Sequence, residues 1–185
     1  MKMSTPFNRA PIVHFLMRVP RVTFVEGQRP GGSHSHAINT IDAHSEVIQA
    51  SGHVAIAKFG APNPRVERLQ KQIQEQVPTY LILVFKRGGK FIGFKSLISA
   101  IRLGTPTAEI KNSAPSYYRE FSYSAGLWFV VEGPLQICDL TKLQLASNKK
   151  PLLEVLSASR TPSMLVETVG YVPLRRSTHR SSSTK

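Results

Sequence analysis

The 185-residue chain has few of the groups that most active sites need. It carries one cysteine, Cys138, which excludes an internal disulfide and a cysteine-cluster zinc site. Cys138 stands among Leu135, Ile137 and Leu140, so it reads as a small buried hydrophobe in a reducing compartment. Acidic residues number 11 against 24 lysines and arginines, which leaves little material for a catalytic carboxylate pair. Glu67 and Glu75 share the polar side of one helical stretch, while Glu26, Asp139 and Glu154 stand apart. No G-x-S-x-G elbow, P-loop, G-x-G-x-x-G or H-E-x-x-H accompanies the serines, glycines and histidines. We expect no enzymatic activity and no cofactor.

His34 and His36 lie on one side of an extended stretch, with Asp42, His44 and His53 further along. They lack the spacing of a three- or four-ligand set, so we expect no bound metal. No apolar run approaches the roughly 18 residues of a spanning helix, and we expect no membrane partner. Lys2, Arg9, Arg18 and Arg21 precede the first acid, Glu26, as in an organelle transit segment. Pro6, Pro11 and Pro20 would break its amphipathic helix, so the expected location is the cytoplasm.

What the chain has in excess is positive charge, +13 at neutral pH. Such a balance favours polyanionic partners, nucleic acid first and an anionic membrane surface second. At 41% hydrophobic the chain can fill one core. We divide it into residues 1–36 (a strand or two, then a Gly/Ser/His loop), a domain over 37–172 that also draws on strand 11–25, and a basic disordered tail over 173–185.

Residues 80–85 are apolar, aromatic and branched, as suits a strand buried on both faces. Gly88-Gly89 predicts a tight hairpin returning through Phe91 and Phe94, with Gly93 at a bend or a close backbone approach. Residues 27–36 read as a loop. Asn39 caps a helix whose apolar side carries Ile41, His44, Val47 and Ile48, and Gly52 stops it. A strand over 54–59 follows, then a helix from Asn63-Pro64 with Val66, Leu69 and Ile73 inward. Residues 96–103 fit strand or helix, and 105–116 read as loop. Residues 127–131 are a buried strand, Gly133-Pro134 a turn, 140–145 a further pairing segment, 152–156 a short helix and 164–169 a last strand. About six strands with two or three helices and no regular alternation indicate an α+β fold, a small curved sheet or a β-barrel.

Basic residues interleave with aromatics at Lys58-Phe59, Lys86-Arg87, Lys90-Phe91, Phe94-Lys95 and Tyr117-Tyr118-Arg119, close to Phe121. Cations neutralise phosphates, and an exposed ring offers a base a stacking surface. Phe91 and Phe94 read as core from their strand positions, whereas Tyr117, Tyr118 and Phe121 sit among polar loop residues.

The order of these segments resembles the YTH and EVE branch of the PUA-like superfamily. The hairpin YLILVFKRGGKFIGF is similar to that family's strand, Gly turn and strand. Arg119-Glu120-Phe121, the run Leu127-Trp128-Phe129-Val130-Val131, and 143–145 resemble its R-F, W-I-F-V and L-R-L series. Asn148-Lys149-Lys150-Pro151 is similar to its N-K-P turn, and Ser159-Arg160-Thr161 to its S-R-D-T run. The likeness spans roughly residues 40–166. It implies a PUA-like barrel that reads RNA or a modified base, with Lys150 and Arg160 on backbone phosphate. The family's cage of two or three tryptophans is not matched, since Trp128 corresponds to a core position. The walls of a base pocket would instead come from Lys58-Phe59-Gly60, the His34–His36 loop, or Tyr117 and Tyr118. The expected interface is therefore Lys58, Phe59, Lys86, Arg87, Lys90, Tyr117, Tyr118, Arg119, Lys150 and Arg160. The other reading is a protein-binding or structural component of a nucleoprotein assembly, docked through its basic tail.

Overall fold

A computed structural model describes residues 11–29, 32–59, 66–119 and 125–169; within these, the side chains of 24–29, 32–36, 118 and 119 are left aside. Its architecture is α+β. A seven-stranded mixed sheet runs in the order β4-β7-β6-β5-β1-β9-β8, and a separate hairpin pairs β2 with β3. The strands are β1 (His14–Arg18), β2 (Val22–Arg29), β3 (Gly32–Asn39), β4 (His53–Phe59), β5 (Tyr80–Arg87), β6 (Lys90–Leu103), β7 (Ala125–Cys138), β8 (Leu143–Leu145) and β9 (Ser163–Thr168). The helices are α1 (Thr40–Ser51), α2 (Val66–Gln74), the short turns α3 (Ala108–Asn112) and α4 (Ser116–Arg119), and α5 (Leu152–Ala158).

The expected central hairpin is β5-β6. Leu81 and Leu83 enter one buried cluster with Phe15 and Phe129, while Ile82 and Val84 enter another with Leu16, Leu152 and Leu156. The strand is buried on both faces, as its unbroken apolar run requires. Gly88 and Gly89 take φ of 55° and 80°, and Arg87 pairs with Lys90 across the two-residue loop. Gly93 marks a close approach: a Cβ there would sit 2.5 Å from Leu140 Cδ2. α1 begins and ends as its caps dictate. Asn39 accepts from the amides of Ile41 and Asp42, and Gly52 turns left-handed at φ 79°.

One sheet face is covered by α1 and α2. The other is covered at one end by α5 and at the other by α3 and α4, where Ala55, Ala57, Ile110 and Ala114 pack around Trp128.

Several expectations are corrected. Among the described residues no ladder joins β4 to β8, so the sheet is open and curved and not a closed barrel. Of the loop expected over 27–36, residues 27–29 and 32–36 are strand in the β2-β3 hairpin, whose Val22–Asn39 pairing overrides the local preference of Gly and Ser for irregular backbone, while 30–31 lie outside the described residues. Gly133-Pro134 does not end its strand. Gly133 at φ 74° forms a bulge instead, between Leu97↔Glu132 and Lys95↔Gln136, and β7 continues to Cys138. The loop expected over 105–116 contains α3, capped by the Thr107 hydroxyl on the Ile110 amide. Residues 96–103 are strand, because pairing with β7 settles what local pattern left open. Cys138 is half-buried at the rim of the second cluster.

Candidate nucleic-acid interface

β1 lies between β5 and β9, which brings the end of β1 beside the β5-β6 hairpin and the last turn of α5. A recess of about 360 Å³ opens there, lined by Arg18, Lys86, Phe91, Ser157, Ser159 and Arg160 over a floor that includes Val84 and Leu156. No carboxylate side chain among the described residues lines it.

Each cation has a distinct local role. The Arg18 guanidinium donates to the Leu156 carbonyl at 2.7 Å and to the Ser159 carbonyl, two acceptors at the C-terminal end of α5. Those carbonyls have no partner within the helix, and a cation also suits the negative end of the helix dipole. Arg18 therefore acts mainly on α5, although its Nε–H is buried without a partner. The Arg18 Cζ and the Lys86 Nζ each lie 5.6 Å from the centroid of the Phe91 ring. Lys86 and Arg160 are exposed, and neither joins an ion pair among the described residues. Arg87 and Lys90 flank the hairpin tip just beyond, also exposed. Four expected residues thus share one end of the molecule, and Arg18 is a fifth cation that sequence reading missed. Its number placed it in the basic N-terminal stretch, and only strand order brings it to α5.

The remaining expected residues lie elsewhere. Lys150 is exposed before α5 while Arg160 follows it, so a helix of 7 residues, roughly 10 Å long, separates them. It is Lys149, at φ 61°, that is engaged there: its Nζ lies 2.6 Å from Glu167 Oε1, which also accepts from Gln144 at 2.7 Å. Burial works to raise the Glu167 carboxyl's pKa, but these hydrogen bonds and the Lys149 charge outweigh it and hold the value below the ordinary one. Lys58 and Phe59 end β4, aligned with Leu127 and Ala125 of β7, and Leu127 in turn pairs with Leu103. They sit at the far end of β6, whose 14 residues span roughly 40 Å at about 3.3 Å each.

Tyr117 is half-buried. Its hydroxyl bonds to Thr23 and Thr40, and its pKa is pushed up to about 12, chiefly by burial. It lines a different pocket, together with Asp42 and Glu46. Those carboxylates oppose a phosphate ligand, which removes Tyr117 from the basic site. Tyr118 and Arg119 contribute their backbone to α4, and their side chains, like Phe121 and the His34 and His36 imidazoles, lie outside what is described. Phe91, expected in the core, is half-buried and faces the recess. Phe94 is half-buried against the main cluster, stacked with Phe85 at 6.1 Å.

Among the described residues no three histidine, cysteine or acidic side chains converge in a way that could hold a metal ion, and no helix is long and apolar enough to cross a membrane. His53 Nε2 lies 3.0 Å from Ser113 Oγ, but its Nδ1 meets the Ser51 carbonyl at 3.0 Å. The pair ties the end of α1 to α3, whose Ser113 carbonyl accepts from the amide of Ala55 on β4.

The fold and the site define an open α+β sheet with a cationic recess at one end. No family model, curated protein or solved structure matches this chain.

Proposed function

We propose that this chain is a nucleic-acid-binding module that engages its ligand at the recess between the β5-β6 hairpin and α5. The observation that carries the reading is the convergence of Lys86 and Arg160 on one recess that no described carboxylate lines, with Arg87 and Lys90 beside it. The resemblance of the segment order to YTH and EVE domains and the net charge of +13 support the same reading. Phosphate oxygens are the acceptors that unpaired lysine and arginine side chains satisfy best, and release of condensed counterions supplies the affinity.

The test is fluorescence anisotropy with labelled single-stranded RNA and DNA of about ten nucleotides. Log affinity is expected to fall with log salt by roughly 0.7 for each phosphate contacted. The double variant Lys86→Glu/Arg160→Glu is compared with Lys71→Glu/Lys111→Glu, which removes the same charge from α2 and α3. The recess pair is expected to lose about tenfold more affinity than the control pair. Equal losses, or binding indifferent to salt, would refute the assignment.

A further inference from the structure

The recess carries an inference about what part of the nucleic acid it reads. This rests on the nucleic-acid reading above. We infer that the recess holds the phosphodiester backbone without reading a base, so that binding is independent of sequence and of base modification.

Base reading draws on a free ring face, or on side chains that match a base edge: carboxamides and carboxylates for adenine and cytosine, a free arginine fork or lysine for guanine. The Phe91 ring, at the recess, is already met by two cations, Arg18 and Lys86, each 5.6 Å from its centroid. A base stacked there would displace a cation–π contact. Phe85, the other ring at the recess, stacks on Phe94. Among the described residues the lining has no carboxylate and no carboxamide. Ser157 Oγ donates to the Leu153 carbonyl, Ser159 Oγ is bonded to Thr161, and the Arg18 guanidinium is held by the Leu156 and Ser159 carbonyls, which leaves Lys86 and Arg160 as the cations that face a ligand.

The other described rings offer no substitute nearby. Trp128 is fully buried, and Tyr80 lies under Lys95, whose Nζ is 5.0 Å from its centroid. Phe59 is 49% exposed, but it is at the opposite end of β6. What the recess does present suits a phosphate: Lys86 and Arg160, neither in an ion pair among the described residues, beside an apolar floor that includes Val84 and Leu156.

The experiment uses the full chain and two labelled probes of equal length, about ten units each: oligothymidylate, and an oligomer of abasic deoxyribose phosphate. Both are titrated at about 50 mM salt, with the unmodified chain and with K86Q/R160Q. The expected result is affinities for the two probes that agree within about fivefold. K86Q/R160Q then weakens both by a common factor and lowers the salt slope by about 0.7 for each phosphate it no longer holds. If oligothymidylate binds more than about fivefold tighter than the abasic probe, base contacts matter and the inference falls, while nucleic-acid binding stands. If K86Q/R160Q leaves either affinity unchanged, the anchor lies elsewhere and the inference falls. If neither probe binds, the nucleic-acid reading itself falls, and the inference with it.

Discussion

Acidification is expected to unfold this protein through two histidines, well above the pH at which its carboxylates titrate. His14 on β1 is 8% exposed and His44 on α1 is 3% exposed. Burial lowers each imidazole from 6.5 to about 4; Lys95 adds to the shift at His14, and a hydrogen bond to the Thr40 carbonyl partly opposes it at His44. His14 Nδ1 accepts the Tyr80 amide, which places its proton on Nε2, whereas His44 Nδ1 carries the proton that it donates to Thr40 at 2.6 Å. Both rings are neutral in the folded chain, and neither site welcomes a second proton. Between pH 6.5 and about 4 these two groups bind more protons in the unfolded chain than in the folded one, so their contribution to stability falls as pH falls through that window and changes no further below it. At pH 5 each histidine costs about 2 kcal/mol relative to pH 8, or about 4 kcal/mol together, with a limiting slope of about 1.4 kcal/mol per pH unit for each. That is a large part of the roughly 5–15 kcal/mol that holds a domain folded. Urea unfolding followed by the fluorescence of the one tryptophan, Trp128, which is fully buried, measures it. His14→Asn and His44→Gln are each expected to halve the slope between pH 5 and 6.5, whatever they do to stability at pH 8. A stability that is level from pH 8 to 5, or slopes unchanged in both variants, would refute the reasoning.

Gly93→Ala forces a methyl to within 2.5 Å of Leu140 Cδ2 and 3.1 Å of Cγ, in a side chain only 5% exposed. It is expected to cost about 1–3 kcal/mol, with Leu140→Ala less damaging in that background than alone, as a double-mutant cycle by chemical denaturation reads. Lys149→Ala removes the partner of a carboxylate whose side chain is 6% exposed while its own is 51% exposed. The loss expected is about 1–2 kcal/mol, modest because the lysine is half in solvent. In the unmodified chain the depressed Glu167 pKa contributes stability above 4.5 that is lost as pH falls through the folded value. In Lys149→Ala two of the causes that lower that pKa are gone, so this acid-side contribution is expected to shrink in the same denaturation series.

The hairpin, both ends of α1 and the buried run of β5 were legible because short-range chemistry dictates them. Two adjacent glycines adopt positive φ, Asn39 satisfies orphan amides, and Tyr80–Arg87 has no polar side until Lys86. The cations of the recess were legible in part. Lys86 stood out as a charge at the hairpin, with Arg87 and Lys90 beside it, whereas Arg160 entered through the family resemblance alone. Arg18 did not, because its meaning comes from α5 carbonyls 138 and 141 residues away in the chain. Lys58, Phe59 and Tyr117 fall outside the recess for the same reason. Adjacency of a cation and a ring along the chain does not say which end of a strand they occupy, or whether Asp42 and Glu46 stand across from them.

By itself the sequence determined the net charge of +13 and the lack of an internal disulfide, which are sums over composition, and the glycine turn and the caps of α1, which depend on residues within a few positions of one another. Tertiary structure alone decided that the sheet stays open, that β7 bulges at Gly133 and does not stop, and that Arg18, Lys86 and Arg160 meet. Strand order and register are set by the summed burial of faces far apart in the chain, and no local pattern encodes that sum.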